Sequence, residues 1–186
     1  MTGCIVPRPI GFLSTVDAGG ARNLAPFSFF SGVSATPPTV AVSIASRPGG
    51  PKDTLRNIEE TGAFVVNTVD EAIAEAMNLA SGDFPPEVDE FEAAGLTPVP
   101  SERVQPPGVA EAPIRMECRL DRVIRAGDPR IPVGIVLGVI LLFHVRDDLW
   151  RRGAVDQERL RAIGRMGGAG YCRTRDLFFM DRPDAG

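Results

Sequence analysis

Ile131-Pro-Val-Gly-Ile-Val-Leu-Gly-Val-Ile-Leu-Leu-Phe-His-Val145 is the stretch on which the fold turns. It is rich in β-branched residues and almost uncharged, which marks a central strand. It falls short of the ~20 apolar residues that a bilayer-spanning helix needs. So long a strand is expected to bend, if anywhere, at Gly134 or Gly138. Just upstream, Ile114 to Ile124 alternates in part and reads as a second strand. Thr39 to Ile44 and Ala63 to Val69 read as two more. Residues 9–16 and 22–30 flank the turn signal Asp17-Ala18-Gly19-Gly20, so they predict a hairpin. Asp176 to Met180 is expected to close the set as a last strand.

Helical patterning is sparser. Lys52 to Glu60 has helical character, with Asp53 or Thr54 as N-cap and Gly62 as stop. Glu71 to Ala80 is built from strong helix formers. Residues 156–163 suggest a short helix. Residues 81–113 carry prolines 85, 86, 98, 100, 106, 107 and 113, and read as a surface excursion with a short helix near Glu87–Ala94. Phe84, Phe91, Leu96 and Val99 would anchor it. Roughly six or seven strands without βαβ alternation argue for an antiparallel barrel with helical decorations. The fold class is thus mainly β, in one domain over residues 1–186.

Composition narrows the function. The net charge is −4 at pH 7, whereas a protein living on phosphate-backbone contacts carries a basic excess. Nucleic acid is therefore not an expected partner, and neither is a membrane. Cys4, Cys118 and Cys172 lie far apart and without a CxxC pair, so buried free thiols are expected rather than disulfides or a metal site. His144 is the only histidine, which excludes any His pair or cluster. The N-terminus lacks the secretory pattern of basic start and long apolar run. A reducing, cytoplasmic setting is the expectation.

The strongest local feature is Ser46-Arg47-Pro-Gly-Gly-Pro-Lys52-Asp53-Thr54, where a strand ends, a Gly/Pro loop turns and a helix starts. A helix N-terminus offers unpaired N–H groups and partial positive charge to an anion. Arg47 and Lys52, the chain's only lysine, flank it, and Ser46 and Thr54 add hydroxyls. Asp53 suits a cap or an orienting partner for Lys52. A solvated surface loop with an ordinary cap is the competing reading. In Asn23-Leu-Ala-Pro-Phe-Ser-Phe-Phe30, Pro26 cannot donate to a ladder, so this strand is an edge or is broken. Its free backbone groups, with Asn23 and Ser28 and with Phe27 and Phe29, would suit a flat heterocycle. A bulged core strand is the alternative. His144 at the end of the long strand is either structural or a titrating catalytic group. Arg165-Met-Gly-Gly-Ala-Gly-Tyr171 matches no phosphate fingerprint. Glu59/Glu60 and Asp147/Asp148 read as solvated faces.

Taken together, the ordered motifs resemble the flavin reductase-like family of split-barrel flavoproteins. They are Pro7-Arg8-Pro9-Ile10 with Ser14-Thr15, Asn23-Leu-Ala-Pro-Phe-Ser28, Pro51-Lys52-Asp53-Thr54 with Asn57-Ile58, Asp89-Glu90-Phe91 through Gly95-Leu96-Thr97-Pro98, and Arg165-x-Gly-Gly-x-x-Tyr171. The resemblance implies an FMN-binding antiparallel split β-barrel and a homodimer with flavin near the subunit interface. It implies that Ser46, Arg47, Lys52 and Thr54 hold the phosphate, with Asp53 beside them. Thr15, Asn23, Ala25, Pro26, Phe27 and Ser28 would line the isoalloxazine. His144 as a catalytic group, Arg165 and Tyr171 would lie near the flavin or the nicotinamide approach. The implied activity is NAD(P)H:flavin reduction, with electrons passed to a partner monooxygenase or another acceptor. Family members usually carry a further segment before Pro7-Arg8-Pro9-Ile10, where only Met1 to Val6 stand here, so the start is expected to be misassigned or this lobe short. A non-catalytic FMN carrier or redox sensor is the alternative. A split-barrel activity on haem or a pyridoxal-type phosphate is a third reading.

Overall fold

The computed structural model describes residues 1–85 and 87–183. Pro86 of the predicted excursion, and the last three residues of the predicted domain, lie outside the described residues. Seven strands form one antiparallel sheet: β1 (Gly11–Val16), β2 (Arg22–Phe27), β3 (Phe30–Ala35), β4 (Pro38–Ala45), β5 (Ala63–Thr68), and two later strands of fifteen residues each, β8 (Ile114–Asp128) and β9 (Ile131–Val145). Between them come the short pair β6 (Pro98–Val99) and β7 (Gly108–Val109). After β9 follow the short pairs β10 (Trp150–Arg151) with β11 (Ala154–Val155) and β12 (Ile163–Arg165) with β13 (Tyr171–Arg173). The helices are α1 (Asp53–Thr61), α2 (Ala74–Leu79), α3 (Glu90–Ala93) and α4 (Gln157–Leu160).

The sheet order is β2-β1-β5-β8-β9-β4-β3, so its two edges, β2 and β3, are consecutive in the chain. Only Ser28 and Phe29 separate them. The sheet therefore curls until its edges lie side by side without a ladder between them. That seam is the split of a split barrel. Gly11 allows the closure, because a Cβ there would stand 3.0 Å from the Phe30 ring.

The barrel interior is filled by Leu13, Phe27, Val40, Val42, Ile44, Phe64, Val66, Cys118, Val136 and Ile140. Leu55 and Ile58 of α1 enter the same core, so α1 plugs the barrel rather than lying on its surface. A second core lies outside β1 and β2, where Phe12 and Leu24 meet Ile73, Met77, Phe91 and Ile163. The period-2 alternation of Phe12 and Leu13 sends one side chain to each core.

Several sequence expectations change in the fold. The predicted strand 22–30 is two strands, because the chain leaves one sheet edge at Phe27 and joins the other at Phe30. Gly134 and Gly138 have a packing reason that the sequence does not show. A Cβ at Gly134 would come 2.7 Å from Leu55, and one at Gly138 would come 2.3 Å from Phe64, so both glycines make room for core side chains. The register slips twice: β9 carries the extra residue Leu141 opposite Glu117/Cys118, and β8 carries the extra residue Asp121 between Leu120 and Arg122. The predicted helix 71–80 starts only at Ala74, since the Asp70 carboxylate accepts the N–H groups of Ala72 and Ile73 (3.0 and 3.3 Å). The predicted helix 156–163 is reduced to α4. Among the described residues, 176–180 pair with no strand; the closing hairpin is β12–β13 instead, with the Gly-rich segment as its turn. Of the three cysteines only Cys118 is buried; Cys4 is exposed and Cys172 half-buried.

Candidate functional site

The loop 46–52 turns where β4 ends beside β9, and it delivers α1 into the barrel mouth. Lys52, not Asp53 or Thr54, occupies the N-cap position, with extended backbone and no side-chain cap. The carbonyl of Lys52 accepts from Leu55 and Arg56, so the N–H groups of Asp53 and Thr54 face outward from the first turn without a cap. Because Leu55 and Ile58 anchor α1 in the core, this N-terminus is rigidly placed.

Around it lies a concavity of about 60 Å³ lined by Asn23, Ala25, Pro26, Arg47, Lys52, Asp53 and Thr54 on one side. The opposite wall is Ala80 to Phe84 with Glu90. The structure thus brings seven of the sequence-predicted residues to one cleft. Lys52 Nζ meets no carboxylate among the described residues and sits 5.8 Å from the centre of the Phe27 ring. Arg47 is differently placed: it donates to Asp53 (2.9 Å) and lies 4.0 Å from Asp83. Asp53 therefore orients Arg47 and also Arg56 (2.7 Å), not Lys52 as expected. Phe27 lies beneath Lys52 as part of the core, while Ser46 stands outside the cleft lining.

Under the cleft floor runs a buried polar chain. Asn23 Nδ2 donates to Thr54 Oγ1 (2.9 Å) and to Thr15 Oγ1 (3.3 Å), and Asn57 Nδ2 donates to Thr15 Oγ1 (3.2 Å). Asn57 Oδ1 is buried without a protein partner. Thr15 is therefore a support for Asn23 and Asn57, not a lining residue. The network fixes side-chain direction, and its orphan acceptor costs roughly 1–3 kcal/mol.

Glu90 closes the cleft from α3 and accepts the Leu24 N–H (3.0 Å), which pins α3 to β2. Burial pushes its carboxyl above the ordinary value; the Leu24 N–H pulls it down, and the Asp89 and Asp53 charges add to the rise. The wall 80–84 escaped sequence reading because no local pattern places Asp83 and Phe84 against the helix start at Lys52. Glu90 stood in a quoted motif, but nothing in the motif placed it against β2.

Ser28 is held from another direction. Arg8 is buried, and its Nε donates to Ser28 Oγ (3.2 Å). Its other nitrogens donate to the carbonyls of Thr2 (2.6 Å), Ile5 (2.8 Å) and Met166 (3.1 Å). Its backbone pairs with Arg165 in both directions (3.0 and 2.8 Å). Arg8 thus ties the chain start, the β2–β3 seam and the Gly-rich turn into one unit. Sequence reading quoted Arg8 as part of a motif and gave it no role.

Arg165 and Tyr171 line a second cleft, against Ala74, Glu75 and Asn78 of α2. His144 lines neither cleft. Its Nε2 lies 2.6 Å from Oε1 of Glu117, a carboxylate that is 1% exposed. Glu117 also accepts the N–H groups of Glu102 (2.9 Å) and Arg103 (2.6 Å). Burial alone would push the Glu117 carboxyl up; those N–H groups and the imidazole outweigh it and hold it below 4.5. The pair clasps the excursion to β8 and β9, a positioning task.

The donor set suits a flavin phosphate. An uncapped nine-residue helix offers N–H groups beside an unpaired ammonium, and the Ala25-Pro26 edge leaves backbone groups free next to it. The comparisons agree. Residues 2–159 match the model of the flavin reductase like domain. The chain belongs to this family, and its fold is the antiparallel split barrel of these oxidoreductases. An uncharacterised protein of Halalkalibacterium halodurans is 43% identical over 98% of this chain and 89% of its own length. The solved structure of nitrilotriacetate monooxygenase component B from Bacillus cereus superposes with a TM-score of 0.93 at 40% identity, covering 96% of this chain and 90% of that one. That of Pseudomonas fluorescens 2-nitrobenzoate 2-nitroreductase gives 0.88 at 35% identity, covering 100% and 91%. The protein is thus a flavin-dependent oxidoreductase by family. Among the described residues no helix is long and apolar enough to cross a membrane.

Proposed function

We propose that this chain is an FMN-dependent NAD(P)H:flavin oxidoreductase that hands electrons to an oxygenase or another acceptor. One observation carries the reading: the chain's only lysine, with no ion-pair partner among the described residues, stands at the uncapped N-terminus of a core-anchored helix, beside the edge strand β2. Lys52 and the first-turn N–H groups would hold the phosphate dianion, with the Thr54 hydroxyl fixed by Asn23. Arg47, neutralised by Asp53, would shape the loop more than supply charge. Ala25 and Pro26 would lie along the ring, with Ser28 positioned by Arg8. When bound, the flavin supplies the redox chemistry, taking two electrons and a proton from NAD(P)H and passing them on. The likeness to a monooxygenase component B supports an oxygenase as the partner.

A homodimer completes this site. A cleft of about 60 Å³ is far below the ~300–1,000 Å³ that encloses a small ligand, so one chain supplies only part of the walls. Leu141 and Phe143 on one face of β9, with Phe178, Phe179 and Met180 in the tail, are exposed apolar surface for the second copy. The likeness to a nitroreductase, together with the ligand-sized second cleft, favours a further reading in which the acceptor is a bound small molecule.

The test is a visible spectrum of the purified protein after incubation with FMN and gel filtration, followed by NADH and NADPH oxidation. Co-eluting flavin and oxidation faster than with free FMN are expected. Retained flavin with no rate above free FMN would leave a carrier; no retained flavin and no rate would sink the reading.

A further inference from the structure

The second cleft has a volume of about 530 Å³ and lies between α2 and the β12–β13 hairpin. That is within the ~300–1,000 Å³ range of small-molecule sites. Ala74, Ile163 and Ala169 give it small apolar walls. Its polar end is Arg165, Tyr171 and Asn78.

Arg165 is half-buried and meets no carboxylate among the described residues. It is nevertheless held in place. Its guanidinium stacks over the Tyr171 ring at 4.5 Å, and one nitrogen donates to the Gly170 carbonyl (3.3 Å). The Tyr171 hydroxyl in turn donates to Asn78 Oδ1 (3.2 Å), which locks the ring that the guanidinium rests on. Its remaining N–H groups are free to form a paired hydrogen bond to a carboxylate. The other charges here are settled or peripheral. Glu71 is taken by Arg173 (3.2 Å) and Arg175, and Glu75 is exposed.

We infer that this cleft binds a planar aromatic monocarboxylate, its carboxylate on Arg165 and its ring between Tyr171 and the Ala74–Ile163 wall. One preorganised guanidinium matches one carboxylate. The apolar walls suit the body of a ring. This cleft runs along α2 from Ala74 to Asn78, and the first cleft begins at Ala80 just past its C-terminus, so a ligand here would be a neighbour of whatever Lys52 holds. The binding claim stands apart from the flavin reading; naming this ligand the flavin's partner substrate rests on it.

Benzoate is the probe, titrated by calorimetry into the full chain, with and without saturating FMN. Saturable binding is expected in both states, with benzamide at least tenfold weaker because it lacks the charge. Arg165→Gln should weaken benzoate at least tenfold at an unchanged melting temperature. Glu75→Gln, which removes a rim anion and touches nothing else, should tighten it about twofold and serves if Arg165→Gln fails to fold. Lys52→Ala should leave benzoate unaffected. No benzoate binding, equal benzamide binding, or indifference to both variants would overturn the inference while leaving FMN binding to stand. Loss of benzoate on FMN loading would overturn it too, by assigning the cleft to the flavin. Loss of FMN binding with benzoate retained would sink only the flavin reading.

Discussion

Lys52→Ala isolates the electrostatics of the first cleft. Lys52 makes no ion pair among the described residues and sits 5.8 Å from the Phe27 ring centre, so its removal breaks little in the free protein. An exposed cation–π contact is worth about 0.5–1 kcal/mol. At ~2–4 °C per kcal/mol for a chain of this size, the melting temperature should fall by a few degrees at most. The helix start is not at risk, because the Lys52 side chain caps nothing. The loss should fall instead on a bound phosphate. A charged hydrogen bond contributes about 1.5–3 kcal/mol, which converts to a ~10- to 150-fold rise in the Kd for FMN. Flavin fluorescence quenching measures it, with riboflavin as the control. Riboflavin has no phosphate, so its affinity should be the same for both proteins. An unchanged Kd for FMN, or an equal loss for riboflavin, would refute the assignment of Lys52 to a phosphate.

Gly138→Ala places a Cβ 2.3 Å from the Phe64 ring, and overpacking of this kind costs about 1–3 kcal/mol, so the urea midpoint should drop while FMN affinity per folded molecule holds. Glu117 has its folded-state pKa below 4.5, so its contribution is complete above that value and is lost as pH falls through the folded pKa. Glu117→Gln should therefore lower stability at neutral pH and flatten its acid limb; a parallel pair of stability–pH curves would contradict this. His144→Ala should lower stability by about 1–3 kcal/mol through the same clasp, leaving the Kd for FMN unchanged, whereas a turnover loss beyond the folded fraction would assign it a catalytic role. Glu90 has a raised pKa and ionises in the window above 4.5, where its charge opposes a bound phosphate. Glu90→Gln should tighten FMN at neutral pH and change little at the acid end, read from Kd against pH.

What local patterning determined was the kind of structure: strands from β-branched runs, α1 from its helix formers, and an anion-suited loop from Arg47 through Thr54. These features depend on neighbours a few residues apart, which the chain order displays. Residues 176–180 show the limit, since an extended apolar run looks the same whether or not a partner strand stands beside it. Gly134 and Gly138 show it again: a gap in side-chain volume can mean a bend or a close approach, and only Leu55 and Phe64 decide. The tertiary structure alone assigned the charges. Arg47 and Lys52 are equivalent in sequence, yet Asp53 takes one and leaves the other free. It also drew Arg165 and Tyr171 into a cleft of their own and tied His144 to Glu117. Pairing across long sequence distances is set by how the sheet curls and where α1 and α2 pack, and no local pattern encodes that choice.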